Sequence, residues 1–283
     1  MRILICAAAA LAAGLLVVAP GTAGKGGPSP DPLLGWDGVV GASGGIRYVA
    51  LPGRGTTTVA GVRTGDGRVL RFATVSGSLG IPQVTWDGTT DGISANGQRL
   101  VLASITSRAL GAKTTFVVLR ANSLGVQRRI ELSGHWAFDA ISPDGSKIYA
   151  VQYADLSHYT VRAIDTATGR VAAAPIVDKR EPDEEMRGSP MTRAWGLGRA
   201  WAYTLYAKPD GTAFVHALDT KGREALCLDL PWTKLGNRIG TVRLKASADG
   251  RELVLRQPGV GTLATIDLTS RSVKSVHPPV GGR

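Results

Sequence analysis

The feature that most constrains this chain is a repeat. Ile141-Ser142-Pro143-Asp144-Gly145-Ser146-Lys147-Ile148-Tyr149 returns as Ile93-Ser94-Ala95-Asn96-Gly97-Gln98-Arg99-Leu100 and as Ala246-Ser247-Ala248-Asp249-Gly250-Arg251-Glu252-Leu253. Degenerate copies surround Gly45 and Gly198. Taken on Gly45, Gly97, Gly145, Gly198 and Gly250, the period runs 52, 48, 53 and 52 residues. Asp or Asn bonds nearby backbone and the following Gly accepts positive φ, so each copy reverses two strands with little strain.

Each period carries a second turn signal, clearest in Ile164-Asp165-Thr166-Ala167-Thr168-Gly169-Arg170 and repeated around Asp219 and Asp267, with looser versions at Arg63 and Arg120. From the five glycines to these positions the offsets in chain order are 18, 23, 20, 21 and 17, so the two hairpins keep step. Two hairpins make four short strands per unit. Strands with alternating apolar positions at this spacing, and no sustained helical period, predict an all-β chain: a β-propeller of about five four-stranded blades over 33–276. The units fall near 36–77, 86–133, 136–178, 192–232 and 239–276, followed by a tail over 277–283. Either Val273–Val276 forms the outer strand of the last unit, or Gly38–Gly41 pairs with it.

The run Ser142–Val151 followed by Ala163-Ile164-Asp165-Thr166-Ala167-Thr168-Gly169-Arg170-Val171 resembles a repeat of the YVTN type found in bacterial exported β-propellers. The likeness covers 141–176 well, 93–127 and 246–276 more loosely, and the other two units only in spacing. It implies the propeller architecture and brings no shared catalytic set.

The N-terminus predicts the address. Arg2, the apolar run Ile3–Ala19 and the small-residue ending at Thr22-Ala23 read as a signal peptide over 1–23, and the Gly/Pro-rich 24–32 as a flexible leader. The product is expected to be secreted or held at the cell envelope, without a membrane span once the signal is removed. Losing Cys6 leaves Cys227 alone, so no intramolecular disulfide is expected, and its apolar strand makes it a packing residue.

Lys and Arg number 33 against 22 Asp and Glu, a formal net charge of +11, one less without Arg2. The cations are dispersed rather than clustered, which excludes a nucleic-acid arm and leaves a general attraction to acidic partners. The four histidines have no paired ligand spacing, Trp86–Gly92 is too short for a calcium loop, and Gly188-Ser189-Pro190 cannot form a nucleophile elbow. Neither metal nor cofactor is expected. The insert Asp178–Pro190 reads as a solvated mixed-charge connection, holding five of the 22 acidic residues, that could also dock a partner.

Ligand contacts concentrate on loops over a rigid scaffold. The connections leading into each unit hold Trp36, Asp37, Trp86, Asp87, Asp91, His135, Trp136, Asp139, Arg193 and Trp195, with Trp36, Trp86 and Trp136 expected at related positions on one face. Stacking and hydrogen bonding there would suit a protein, peptide or glycan of the envelope, bound by a monomer without catalysis. The competing reading is a carbohydrate-active hydrolase or lyase using Asp37, Asp87, Asp91 and Asp139. A third is structural: the tryptophans wedge between units and each Asp-Gly is a turn.

Overall fold

The computed structural model describes residues 33–35, 37–105, 113–155, 158–180 and 187–280. The expected signal and leader, Trp36 and the middle of the mixed-charge insert lie outside the described residues.

The chain is all-β: the described residues form five antiparallel sheets of three or four strands in sequence order, and Leu33–Leu34 pairs with Pro82–Gln83 as a separate two-stranded sheet. Sheet one runs Val39–Val40, Ile46–Pro52, Thr56–Arg63, Val69–Ser76; sheet two Leu79–Gly80, Arg99–Ser104, Lys113–Arg120, Val126–Ser133. Sheet three runs His135–Ile141, Lys147–Tyr153, Tyr159–Asp165. Sheet four runs Ser189–Trp195, Trp201–Ala207, Ala213–Asp219, Glu224–Leu230; sheet five Arg243–Ala246, Glu252–Gln257, Gly261–Asp267, Ser272–Val276. Val273–Val276 is therefore an outer strand of sheet five, while Val39–Val40 belongs to sheet one. Sheet three departs from four strands: its fourth edge shrinks to the single bridges Ile164↔Val171 and Val161↔Ile176. The intervening Ala172-Ala173-Ala174-Pro175 has weak β-propensity, and Pro offers no amide.

One local rule builds every unit. The first hairpin closes with a backbone N–H reaching three residues back: Gly44 to Gly41, Gly97 to Ser94, Gly145 to Ser142, Arg199 to Gly196 and Gly250 to Ser247. All five donors have positive φ. The fourth slot belongs to Arg199 (φ 55), not Gly198, and the first to Gly44 rather than Gly45, which corrects the alignment on glycines. In three units a serine hydroxyl donates to the Asx oxygen two residues on: Ser94 to Asn96, Ser142 to Asp144 and Ser247 to Asp249, at 2.6–2.7 Å.

The second hairpin is tied to the first. Thr64, Ala121, Thr166, Thr220 and Leu268 each donate a backbone N–H to the carbonyl of the residue after the left-handed slot, namely Gly45, Gln98, Ser146, Ala200 and Arg251. This one bond per unit keeps the two turns in step. Asp165, Asp219 and Asp267 each accept from the N–H groups two and three residues on. A second left-handed slot follows, filled by Gly67, Leu124, Gly169, Arg223 and Arg271.

Apolar side chains from neighbouring sheets interlock in four clusters, joining one to two, two to three, three to four and four to five. Among the described residues no cluster joins five to one. The largest fully buried side chains, Trp232, Tyr149, Phe116 and Phe214, sit in these inter-sheet layers or at their margins.

Candidate functional site

The first strands converge, and the segment from Pro82 to Gly92 crosses between them. Pro82–Gln83 pairs with Leu33–Leu34, and Trp86 and Asp87 then donate backbone N–H groups to Pro190 and Met191 of sheet four. Asp87 Oδ1 accepts from the Thr85 and Thr89 hydroxyls and the Thr89 N–H, at 2.6–3.1 Å. Its partial burial favours the protonated form, but the hydroxyls of Thr192, Thr85 and Thr89 outweigh that and lower its pKa. Asp87 is thus the lock of a turn, with Arg243 3.8 Å from Oδ2. The turn holds Trp86 with its side chain facing solvent, 49% exposed.

Beneath this segment lies a buried ionic network. Arg193, on the first strand of sheet four, donates Nη1 to the Asp139 carbonyl, Nη2 to Asp139 Oδ1, and Nε to Thr204 Oγ1 at 2.8 Å. Arg199 donates Nη2 to Asp91 Oδ1 at 2.7 Å, and Gly92 N–H donates to the same oxygen. The Arg199 guanidinium stands 4.4 Å and that of Arg193 6.0 Å from the Trp195 ring centre, so the indole bridges the two ion pairs. Burial pushes the Asp91 carboxyl up while Arg199 and Arg193 pull it down, with burial dominant. Arg193 goes the other way: Asp139 and Asp91 overcome its desolvation and raise its pKa. Asp91 and Asp139 are nearly sealed from solvent, and each keeps one carboxylate oxygen without a hydrogen-bond partner.

Of the expected residues that are described, the structure brings Asp91, Asp139, Arg193 and Trp195 into one network, sets Trp86 and Asp87 on the segment above it, and leaves Asp37, His135 and Trp136 outside it. His135–Asp139 and Arg193–Trp195 are strand residues, not loops. Trp136 is 5% exposed and packs with Val84, Phe116 and Phe138, its Nε1 donating to Ser133 O. Trp86 and Trp136 are therefore not equivalent: one sits on the crossing turn, the other on a paired strand facing sheet two. His135 is buried 4.9 Å from the Tyr153 ring centre. Asp37 is an exposed turn residue whose carbonyl accepts from Arg47. Arg199, Tyr206 and His216 join the buried region without a local signal announcing them. Burial pushes the Tyr206 hydroxyl well up and holds His216 down at about 4, neutral near pH 7, with Cys227 Sγ 3.9 Å from its Nδ1.

A separate groove of about 460 Å³ opens between sheets three and four on the hairpin side, bounded by Pro143, Ser146, Tyr149, Gly198, Lys221 and Arg223. Tyr149 forms its rigid wall, its hydroxyl donating to Thr220 O at 2.6 Å. Among the described residues, no three His, Cys, Asp or Glu side chains are grouped to hold a metal ion, and no helix is long and apolar enough to cross a membrane.

No protein-family model matches the sequence, and no curated protein matches it. Solved structures do. A chain of Kuenenia stuttgartiensis hydrazine synthase superposes with a TM-score of 0.51 at 18% identity, over 81% of this chain and 63% of that one. A prolyl endopeptidase structure gives 0.50 at 12%, over 86% and 35%. The β-propeller domain of Cps50 (Swd1) from Myceliophteria thermophila gives 0.46 at 13%, over 86% and 68%. The chain thus spans less than two thirds of the hydrazine synthase and endopeptidase chains, and at these identities the likeness concerns fold alone.

Proposed function

We propose that this chain is an exported five-bladed β-propeller of the YVTN type that binds a protein, peptide or glycan of the cell envelope without transforming it. The observation that carries this is Trp86, an aromatic side chain held half exposed by a turn whose backbone and carboxylate are both fastened. An exposed indole whose backbone is already ordered loses little entropy on stacking against a sugar ring or apolar side chain. Five sheets in sequence order, each with its first strand toward the crossing segment, fit one blade apiece. The hydrolase alternative is disfavoured, because bond cleavage needs two carboxyl groups that both reach the substrate. Asp91 and Asp139 are enclosed on arginines, and Asp87 is occupied by threonine hydroxyls.

The test is binding of the purified protein to an array of envelope glycans and peptides, with every hit assayed for turnover. Retention that falls at least tenfold in a folded Trp86→Ala variant supports the reading. Turnover that disappears in Asp87→Asn while Trp86→Ala keeps it overturns it.

A further inference from the structure

Two positions of the second hairpin recur in every unit: the residue after the tying N–H, and the left-handed slot. They hold Gly65 and Gly67 in unit one, Asn122 and Leu124 in two, Ala167 and Gly169 in three, and Thr269 and Arg271 in five. Unit four alone places a cation at both, Lys221 and Arg223. Both side chains are exposed, and neither has a hydrogen bond or ion pair among the described residues.

These two cations border the groove of about 460 Å³ between sheets three and four. The hairpin that carries them is already ordered: Asp219 Oδ1 accepts from the Lys221 and Gly222 amides at 2.9 and 2.8 Å, and Thr220 O from the Tyr149 hydroxyl at 2.6 Å. Arg223 is held at φ 59, a strained conformation for an L-residue. Leu124 offsets the same strain by burial, whereas Arg223 stays exposed. The other charges of the groove are satisfied internally. Lys147 pairs with Asp165, and Asp144 Oδ1 accepts from the Ser142 hydroxyl and from the Ser146 hydroxyl and N–H, at 2.6–3.0 Å. We propose that this groove binds a phosphomonoester on a body about the size of one sugar ring, with Arg223 and Lys221 holding the phosphate and Pro143, Ser146 and Ala200 facing the body.

The pair of cations selects the anion. A phosphomonoester carries a charge of about −1.5 to −2 at pH 7 on three acceptor oxygens. The planar guanidinium grips two of them and the ammonium meets the third. A carboxylate, with one charge, leaves one of the cations uncompensated. The volume selects the body: it falls in the range of small-molecule sites, about 300–1,000 Å³, and an oxyanion alone leaves most of it empty. This site is separate from Trp86 and independent of the ligand proposed there.

Isothermal titration calorimetry of the purified protein with glucose-6-phosphate, inorganic phosphate, glucuronate and glucose tests it. Glucose-6-phosphate should bind about tenfold or more tightly than inorganic phosphate or glucuronate, and glucose should give no signal. Lys221→Gln and Arg223→Gly should each weaken it about tenfold, and Arg223→Gly should do so while raising the urea midpoint, because the strained slot relaxes. Arg271→Gly removes the same charge from the same slot one unit on, and should leave binding unchanged. No saturable binding of glucose-6-phosphate, equal affinity for inorganic phosphate, or equal losses in Arg223→Gly and Arg271→Gly would each overturn the proposal.

Discussion

Arg199 reaches Asp91 at 2.7 Å across 108 positions of sequence, from a left-handed backbone slot that the four corresponding hairpins give to glycine. An L-residue held there is strained by about 1–2 kcal/mol. The strain persists because the same residue supplies the guanidinium facing a fully buried carboxylate. In Arg199→Gly the backbone relaxes, but Asp91 loses its main counter-charge, worth about 3–5 kcal/mol when a buried pair is broken. The expected net loss is about 1–4 kcal/mol by urea unfolding. Adding Asp91→Asn to Arg199→Gly should recover part of it, and strict additivity of the two changes would contradict the coupling.

The second left-handed slot gives the opposite sign. Arg271 is exposed at φ 57, where Gly67 and Gly169 stand in units one and three. Arg271→Gly should raise stability by about 1 kcal/mol, read from the urea midpoint at constant slope. Leu124→Gly should not, since Leu124 in the same slot is 1% exposed and its packing is lost.

Asp139 and Asp37 were grouped by sequence and should now separate. Asp139→Asn removes the charge facing the buried Arg193 and is expected to cost about 3–5 kcal/mol. Asp37→Asn, on an exposed turn, should fall within about 0.5 kcal/mol of the parent. Thermal denaturation of the two variants side by side decides this. Equal melting temperatures would remove Asp139 from the internal network.

What was legible in the sequence is what a local rule enforces. Asp144-Gly145 and Asp249-Gly250 announce a turn because the bonds they need lie within five residues. The hairpins around Asp165, Asp219 and Asp267 announce themselves by the same logic, through an aspartate that accepts from the next amides. Arg199 was illegible because Gly198 beside it is also left-handed, so matching glycines shifted the fourth unit by one. The pairs Asp91–Arg199 and Asp139–Arg193 are made across the first strands, where no spacing rule applies. Those aspartates were singled out, but as ligand contacts on loops rather than partners of arginine within the protein. Trp136 was misplaced for a related reason: Trp-Asp-Gly at Trp86 marks a turn, whereas His135-Trp136-Ala137-Phe138 alternates as a strand does.

His216 predicts a pH dependence. Its buried ring, facing Cys227 and in the fields of Asp139, Arg193 and Asp178, resists protonation until about pH 4, whereas the unfolded chain takes up that proton near 6.5. Below pH 6.5 the unfolded state binds more protons, so stability falls as pH drops from 6.5 to 4, by up to about 3 kcal/mol from this residue. The raised Asp91 carboxyl acts oppositely, favouring the folded state as pH falls into the window just above 3.8. Urea midpoints of the parent and His216→Gln between pH 7 and 4.5 isolate the histidine. The variant's curve should be flatter, and parallel curves would refute the assignment.

The crossing segment also shapes how the chain reaches its native state. Each hairpin is a local event that can close in microseconds, yet Trp86 and Asp87 rest on Pro190 and Met191, more than a hundred residues downstream. Sheet two can pair its strands early and the turn carrying Trp86 can close on Thr85 and Thr89, but the two backbone bonds that dock it wait until sheet four exists. The exposed Trp86 indole is thus among the last side chains to be docked, and a chain interrupted before Ser189 would carry it on a turn without its anchor on sheet four.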